Sequence, residues 1–265
     1  MSDVISHYTE NPEDNRLRSG RGELEFVRTR ELILRHLPAP PQVILDVGGG
    51  SGIYSAWLGS LGYDVHLVDM VPGHVVSAGR TPGIASATVG DARNLARPNE
   101  SADAVLLLGP LYHLTERPGR LQALCEARRV LKPGGLLFAA AISRFASLLS
   151  GLVEGFLVDP SFASIVVRDL SDGQHRNSTG KPEYFTRAFF HRPEELQSEI
   201  READFSSVEV TAIEGPGWLA ADFDARWSDP AWRGRLLALI RTVEREPWLL
   251  GATSHLLAVA KRDAK

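Results

Sequence analysis

Cysteine, long apolar runs and excess positive charge are all scarce in this sequence of 265 residues. The single cysteine excludes an intramolecular disulfide and a zinc site of several thiolates. The longest apolar runs, such as residues 136–142, fall far short of the ~20 residues of a membrane helix, and the N-terminus shows no signal-peptide pattern. We therefore expect a cytoplasmic protein without a membrane segment. Cys125 lies in the apolar stripe of a predicted helix, where we expect a buried thiol.

The charge balance argues against a nucleic acid as a partner. Lysine and arginine number 29 against 33 aspartates and glutamates, a formal net charge of −4. This balance gives no broad basic surface for a nucleic acid. Apolar residues make up 43% and charged residues 23%, as in ordinary globular domains. We expect a folded protein that binds a small molecule, as a monomer or a homodimer.

Strand-like and helix-like segments alternate along most of the chain. The strand-like segments are residues 43–47, 64–68, 84–89, 104–108, 136–142, 207–213 and 255–260. Helices are expected at residues 26–37, 51–61 and 117–131, and from residues 72 and 193. The alternation predicts an α/β fold with a doubly wound, mostly parallel, seven-stranded Rossmann-like sheet and helices on both faces.

Two inserts, after the fifth and sixth strands, interrupt the alternation, and we expect them to cap a ligand site. The first insert carries side chains that would attract an anion or simply face solvent: His175, Arg176, Lys181, Tyr184, Arg187, His191 and Arg192. The second insert holds four tryptophans that would line an apolar pocket, fill the core or form a subunit contact: Trp218, Trp227, Trp232 and Trp248.

The strongest motif is the glycine-rich loop 46–52 between the first strand and the next helix. Its glycines allow a sharp turn and let a ligand lie against the main chain. A dinucleotide fingerprint needs Gly-x-Gly-x-x-Gly, and counted from Gly48 its third glycine falls at Ile53. Asp46, which opens the loop, would repel a pyrophosphate and favour a cationic or zwitterionic ligand.

Two more carboxylates follow strands. Asp69 ends the second strand, where it can accept hydrogen bonds from both hydroxyls of a ribose, and Asp91 follows the third strand, within reach of an adenine edge. With Asp46, three acids end three successive strands. Ligands of open α/β sheets bind at that edge, so the pattern predicts a nucleoside-containing ligand there.

These motifs together resemble the class I S-adenosylmethionine-dependent methyltransferases over at least residues 43–142. The glycine loop is similar to the family's acid-x-Gly-x-Gly-x-Gly motif, residues 108–114 to the segment beside the reactive methyl group, and residues 129–135 to its Leu-Lys-Pro-Gly-Gly turn. The resemblance implies S-adenosylmethionine as cofactor, bound by Asp46, Gly48, Gly49, Gly50, Gly52, Asp69, Met70, Asp91, Ala92, Leu108 and Gly109.

The resemblance also divides the chain. Residues 1–41 resemble a helical segment that closes over the cofactor, in which Tyr8 and Arg18 would contact the methionine end or simply face solvent. Residues 42–142 form the binding core, 143–192 the cap insert, and 193–265 the C-terminal half of the core with the tryptophan-rich insert at 215–250.

The implied activity is methyl transfer to an O, N or C atom of a small organic acceptor by in-line displacement, which depends mainly on positioning. His113 is the expected base beside the methyl group, or a residue that only shapes the site, and Tyr112 is a second choice. No metal site is predicted. A non-catalytic S-adenosylmethionine-binding module and a nicotinamide-dependent oxidoreductase remain alternatives.

Overall fold

The computed structural model describes residues 16–264, and the predicted contact of Tyr8 lies outside them. Seven strands build the main sheet, and a further short pair lies in the first insert. The strands are β1 (Val43–Val47), β2 (Asp64–Asp69), β3 (Ile84–Val89), β4 (Ala102–Leu107), β5 (Leu131–Ile142), β6 (Gln174–His175), β7 (Ala188–Phe189), β8 (Ser206–Ala212) and β9 (His255–Lys261).

The order of strands in the main sheet is β3-β2-β1-β4-β5-β9-β8, and only β9 runs antiparallel to its neighbours. The order reverses direction between β1 and β4, where ligands bind in open α/β sheets. Because β9 is reversed, its first residue, His255, lies at the same edge as the last residue of β5, Ile142, with which it pairs. The predicted seven-stranded Rossmann-like sheet is confirmed.

Helices cover both faces of this sheet. They are α1 (Gly20–His36), α2 (Ile53–Ser60), α3 (Pro72–Ala78), α4 (Pro110–His113), α5 (Arg117–Val130), α6 (Ala146–Val153), α7 (Pro160–Asp172), α8 (Pro193–Glu202), α9 (Phe223–Trp227) and α10 (Pro230–Val243). None of the helices between residues 16 and 264 is both long enough and apolar enough to span a bilayer.

Alternation along the central strands separates two cores. Ile44 and Leu106 pack with residues of α1 and α2 on one face, whereas Leu45 and Leu107 pack with residues of α5 and α8 on the other. Because successive strand residues point to opposite faces, a strand buried on both sides must be apolar throughout. This explains why residues 104–107 of β4 are all apolar.

Two local predictions are wrong. Cys125 is exposed, because the buried stripe of α5 runs through Ala123, Leu124 and Ala127, and Cys125 lies one helical step beyond it. The fifth strand begins at Leu131 rather than residue 136. Leu131 already pairs with Ala102, and a register shift accommodates the Lys-Pro-Gly-Gly turn within the strand.

Both inserts stand where the sequence places them. The first contains α6, α7 and the β6–β7 pair between β5 and α8. The second contains α9 and α10 between β8 and β9, and packs through Trp218 and Phe223 against Leu24 of α1.

Candidate functional site

A cleft with about 1370 Å³ of empty space opens at the carboxyl edge of the sheet. Its lining comes from the loops after β1, β2, β3 and β4, from α1, and from the ends of β5, β8 and β9. All the predicted cofactor residues among residues 16–264 line it except Arg18 and Gly52. The sheet topology therefore assembles one site from segments spread over most of the chain.

The glycine loop is shaped by left-handed backbone. Gly48 and Gly50 have φ of 72° and 59°, values that residues with a side chain rarely adopt. A methyl group at Gly50 would meet no protein atom within 4 Å, so this part of the loop leaves open space. Gly52, in contrast, has φ of 97° and caps α2, and its Cα faces Ile84 rather than the cleft.

Asp46 is buried below this loop. Its Oδ2 accepts a 2.6 Å hydrogen bond from the Ser55 hydroxyl, which ties the end of β1 to α2. Burial raises the pKa of Asp46 to about 6; the hydrogen bond from Ser55 opposes the rise and the nearby charge of Asp69 adds to it. The carboxyl is therefore partly protonated in mildly acidic solution.

Asp69 holds together two loops that line the cleft. Its Oδ2 accepts from the Gly50 amide at 2.9 Å, its Oδ1 accepts from the Val71 amide at 2.8 Å, and His74 Nδ1 lies 3.3 Å from Oδ1. Oδ2, with one partner, retains a lone pair for another donor. One carboxylate thus joins the loops after β1 and β2 and faces the same cleft.

Asp91 and the segment after β4 complete the predicted set. Arg93 holds the Asp91 carboxylate through Nε and Nη2, and this pairing lowers the pKa of Asp91. Tyr112 and His113 follow β4 on α4, with their rings 4.6 Å apart. The ring centroid of Phe185, in the first insert, lies 6.1 Å from that of His113, so this insert packs against a residue of the cleft wall.

In the N-terminal segment, the arginine that pairs with a residue of the cleft lining is not the predicted Arg18. Arg18 is exposed and does not line the cleft. Arg16 instead makes a two-pronged ion pair with Glu25, through Nη1 at 2.5 Å and Nη2 at 3.0 Å, and Glu25 does line the cleft. Arg16 and Arg18 are both exposed and both precede α1, so sequence alone did not show which of them would pair with Glu25.

Sequence reasoning missed the wall of the cleft beyond β4. It is formed by Glu25 and Thr29 of α1, Ala140 of β5, Ile213 after β8, and His255 at the start of β9. The sequence held one signal that could have indicated His255. The last strand was placed correctly, and a polar residue at the start of an antiparallel strand lies at the carboxyl edge of its parallel neighbours.

None of the insert side chains singled out from the sequence lines the cleft. His175 is buried between Asp169 and the Tyr184 carbonyl, His191 is buried against Glu199, and Lys181 pairs with Asp159. Trp218 and Trp227 are core residues, Trp232 packs against them, and Trp248 is exposed. The interpretation of these side chains as a wall of the ligand site is not supported.

Comparisons with known proteins agree with this geometry. A family model described as a methyltransferase domain matches residues 45–139. The chain is 28% identical over 221 residues to the ubiquinone biosynthesis O-methyltransferase of Azorhizobium caulinodans, covering 77% of this chain and 79% of that protein. It is 29% identical over 197 residues to the ubiquinone/menaquinone biosynthesis C-methyltransferase UbiE of Acidiphilium cryptum, covering 70% and 75%.

The fold agrees as well. A crystal structure from Thermotoga maritima, described as an SAM-dependent methyltransferase and possible histamine N-methyltransferase, superposes with a TM-score of 0.61 at 18% identity, covering 98% of this chain and 99% of that one. Residues 45–139 match a methyltransferase domain, and the relatives and the fold support a class I S-adenosylmethionine-dependent methyltransferase. This assignment replaces the alternative of a nicotinamide-dependent oxidoreductase.

The described residues of this methyltransferase fit S-adenosylmethionine. Gly50 leaves open space where main chain can approach a ligand, and Asp69 beside it presents a carboxylate whose Oδ2 keeps a spare lone pair. Asp46 adds negative charge below the loop, which suits a cofactor that carries a sulfonium and an ammonium group. The cleft is thus complementary to the cofactor in both shape and charge.

The raised pKa of Asp46 predicts a pH dependence of cofactor binding. Because the folded protein holds this proton more tightly than the unfolded chain, the contribution of Asp46 to the free energy of unfolding falls as the pH rises from 3.8 to about 6. A positive ligand favours the ionised form. We expect the Kd for S-adenosylmethionine, measured by calorimetry, to fall about tenfold between pH 5 and pH 7.5.

Two controls separate this effect from general pH sensitivity. S-Adenosylhomocysteine, which lacks the sulfonium charge, should show a weaker dependence. The Asp46→Asn variant should bind the cofactor with a Kd that hardly changes over this pH interval. A variant with the wild-type pH profile would contradict the role given to this carboxyl.

Proposed function

We propose that this methyltransferase methylates an oxygen atom of a small organic acceptor that enters the cleft beyond β4. The observation that carries the proposal is the continuity of the cleft: the cofactor loop lies at one end, and the wall with Ala140, Ile213 and His255 lies at the other. The curated O-methyltransferase relative supports oxygen as the acceptor atom. Nitrogen and carbon acceptors are the outcomes that would correct it.

When bound, S-adenosylmethionine supplies an electrophilic methyl group on a positively charged sulfur. We assign the ribose to Asp69 with Met70, the adenine to Asp91 and Ala92, and the methionine end to the glycine loop, Leu108 and Gly109. Asp69 holds both neighbouring loops through the amides of Gly50 and Val71, so the ligand meets a preorganised surface.

Tyr112 and His113 lie after β4, next to the glycine loop, because β1 and β4 are adjacent strands. We assign them to the wall that holds the acceptor against the reacting carbon, with His113 a candidate for taking its proton. In-line displacement depends on this alignment, since orientation alone lowers the barrier by several kcal/mol, roughly 7–11 in favourable cases. Residues 1–41 are assigned to a segment that closes over the cofactor, supported by Leu17, Glu25 and Thr29 in the cleft lining.

A transfer assay tests this function. The protein is incubated with S-adenosylmethionine carrying a labelled methyl group and with three sets of acceptors: phenols including catechol and 3,4-dihydroxybenzoate, primary amines, and activated carbon acids. We expect label in the phenol set. Label only in the amine or carbon set would correct the acceptor atom, whereas cofactor binding without any transfer would favour the non-catalytic module.

A further inference from the structure

A cluster of charged side chains stands at the acceptor end of the cleft. Nδ1 of His255 lies 2.7 Å from Oε1 of Glu214 and 3.4 Å from Oε2 of Glu25. Arg16 pairs with the Glu25 carboxylate from its other side. Two carboxylates, one from α1 and one from just after β8, therefore converge on the imidazole at the start of β9, which lines the cleft.

The topology places this imidazole on the acceptor side. Along the carboxyl edge, β9 is two strands from β4, which carries Tyr112 and His113, and three strands from β1, which carries the glycine loop. With strands ~4.8 Å apart, these separations are about 10 Å and about 14 Å. His255 therefore stands beyond the cofactor-binding loops but within the same cleft.

The Glu214 carboxylate is itself fixed. Its Oε2 accepts from the Thr253 hydroxyl at 2.7 Å and from the backbone amide of His255 at 3.0 Å, which leaves Oε1 directed at Nδ1 of the ring. A carboxylate on Nδ1 selects the tautomer with its proton on that nitrogen. Within residues 16–264 all hydrogen bonds of the His255 ring use Nδ1, so in the neutral ring Nε2 keeps a lone pair.

The surrounding charges favour a ring that gains a proton. Burial lowers the pKa of His255, but the carboxylates of Glu25 and Glu214 outweigh it, and Arg16 opposes them only in part, so the pKa is raised above 6.5. Arg16 and His255 in turn lower the pKa of Glu25 against the effect of burial. An imidazolium formed here lies between two carboxylates, one of them already paired with arginine.

We propose that His255 is the catalytic residue that takes the proton of a weakly acidic hydroxyl on the acceptor, and that Glu214 is its positioning residue; this rests on the proposed function. The acceptor O–H bond breaks and its proton moves to Nε2. The freed oxygen pair forms the new O–CH₃ bond while the donor S–CH₃ bond breaks and leaves its pair on sulfur. Tyr112 and His113 then hold the acceptor without taking its proton.

The variant that isolates Nε2 is His255→Asn, because the asparagine amide can still donate to Glu214 from the position of Nδ1. General-base catalysis is worth 10²–10⁴ in rate, so we expect kcat for catechol to fall about 100-fold while the Kd for S-adenosylmethionine stays within about twofold. Glu214→Gln should lower kcat about tenfold and move the acidic limb of the pH–rate profile to lower pH. His66→Asn, a change outside the cleft, is the matched control and should leave kcat unchanged.

Nitrogen NMR of the histidine rings tests the same assignment without an acceptor. Peaks absent from the His255→Asn spectrum identify His255, which should titrate above pH 6.5 and carry its neutral-form proton on Nδ1. A neutral ring protonated on Nε2, or a His255→Asn enzyme that keeps kcat within threefold, would overturn the proposal. A wild-type enzyme that methylates no phenol would refute the acceptor class, and this base assignment with it, before any variant is compared.

Discussion

Replacing Asp69 with alanine is expected to weaken binding of S-adenosylmethionine about 100-fold. The substitution would remove the charge-assisted hydrogen bonds that we assign to Asp69 and the ribose hydroxyls, which would together be worth about 3 kcal/mol. It also removes the acceptor for the amides of Gly50 and Val71, so the loops after β1 and β2 lose the group that joins them. Calorimetric titration at pH 7.5 measures the change directly.

His113→Ala is the matched control for this prediction. His113 lines the same cleft but belongs to the wall assigned to the acceptor, so its loss should change the cofactor Kd by about threefold or less. Asp69→Asn should fall between the two, since the amide keeps one oxygen acceptor and loses the charge. Equal losses from Asp69→Ala and His113→Ala would contradict this division of the cleft into cofactor and acceptor halves.

The residues that we assign to the cofactor could be placed in the cleft from the sequence because each lies at or just after the end of its own strand. Asp46 and Asp69 lie in the last two residues of β1 and β2, Asp91 follows β3, and parallel strands bring their carboxyl ends to one edge. Once the alternation of strands and helices is recognised, the position of each residue in the chain determines its position at the edge. No long-range side-chain contact has to be known.

The half of the cleft assigned to the acceptor could not be predicted from the sequence in the same way. His255 depends on Glu25, which lies 230 residues earlier in the chain, and on the reversal of β9 in the sheet. The sequence pattern places the strand without giving its direction or its neighbours. Arg16 and Arg18 show the same limit at shorter range, because both are exposed before α1 and only tertiary contacts decide that Arg16 meets the Glu25 carboxylate.

The first insert shows why residue types alone mislead. Its histidines suggested a surface for an anionic acceptor, yet His175 and His191 each meet a buried carboxylate, Asp169 and Glu199. Burial lowers the pKa of His191 even though Glu199 opposes it. Polar side chains that satisfy one another inside a packed insert have the same composition as a charged surface, and only tertiary contacts separate the two.

The largest loss of stability is expected from Arg120→Met. Arg120 is buried, and its Nε and Nη2 donate to Glu199 at 2.9 Å and 2.7 Å. Its Nη1 donates to the carbonyls of Leu114 and Thr115 at 3.0 Å and 2.8 Å, directly after His113. Breaking a buried ion pair typically costs 3–5 kcal/mol, because the other charge remains buried and unpaired. Thermal unfolding should report a Tm lower by about 10 °C.

Glu199 supplies the control and the pH signature. Burial raises the pKa of Glu199, but His191 and Arg120 hold it down at about 2, so the stabilisation from this carboxylate is present above pH 4.5 and is lost as the pH falls towards 2. The double variant Arg120→Met, Glu199→Gln leaves no buried charge behind and should recover more than half of the lost free energy of unfolding. Additive losses in the double variant would contradict a coupled pair. Arg120 also holds the chain after α4, next to the wall assigned to the acceptor. The single variant should therefore show a lower kcat even at temperatures where it is still folded.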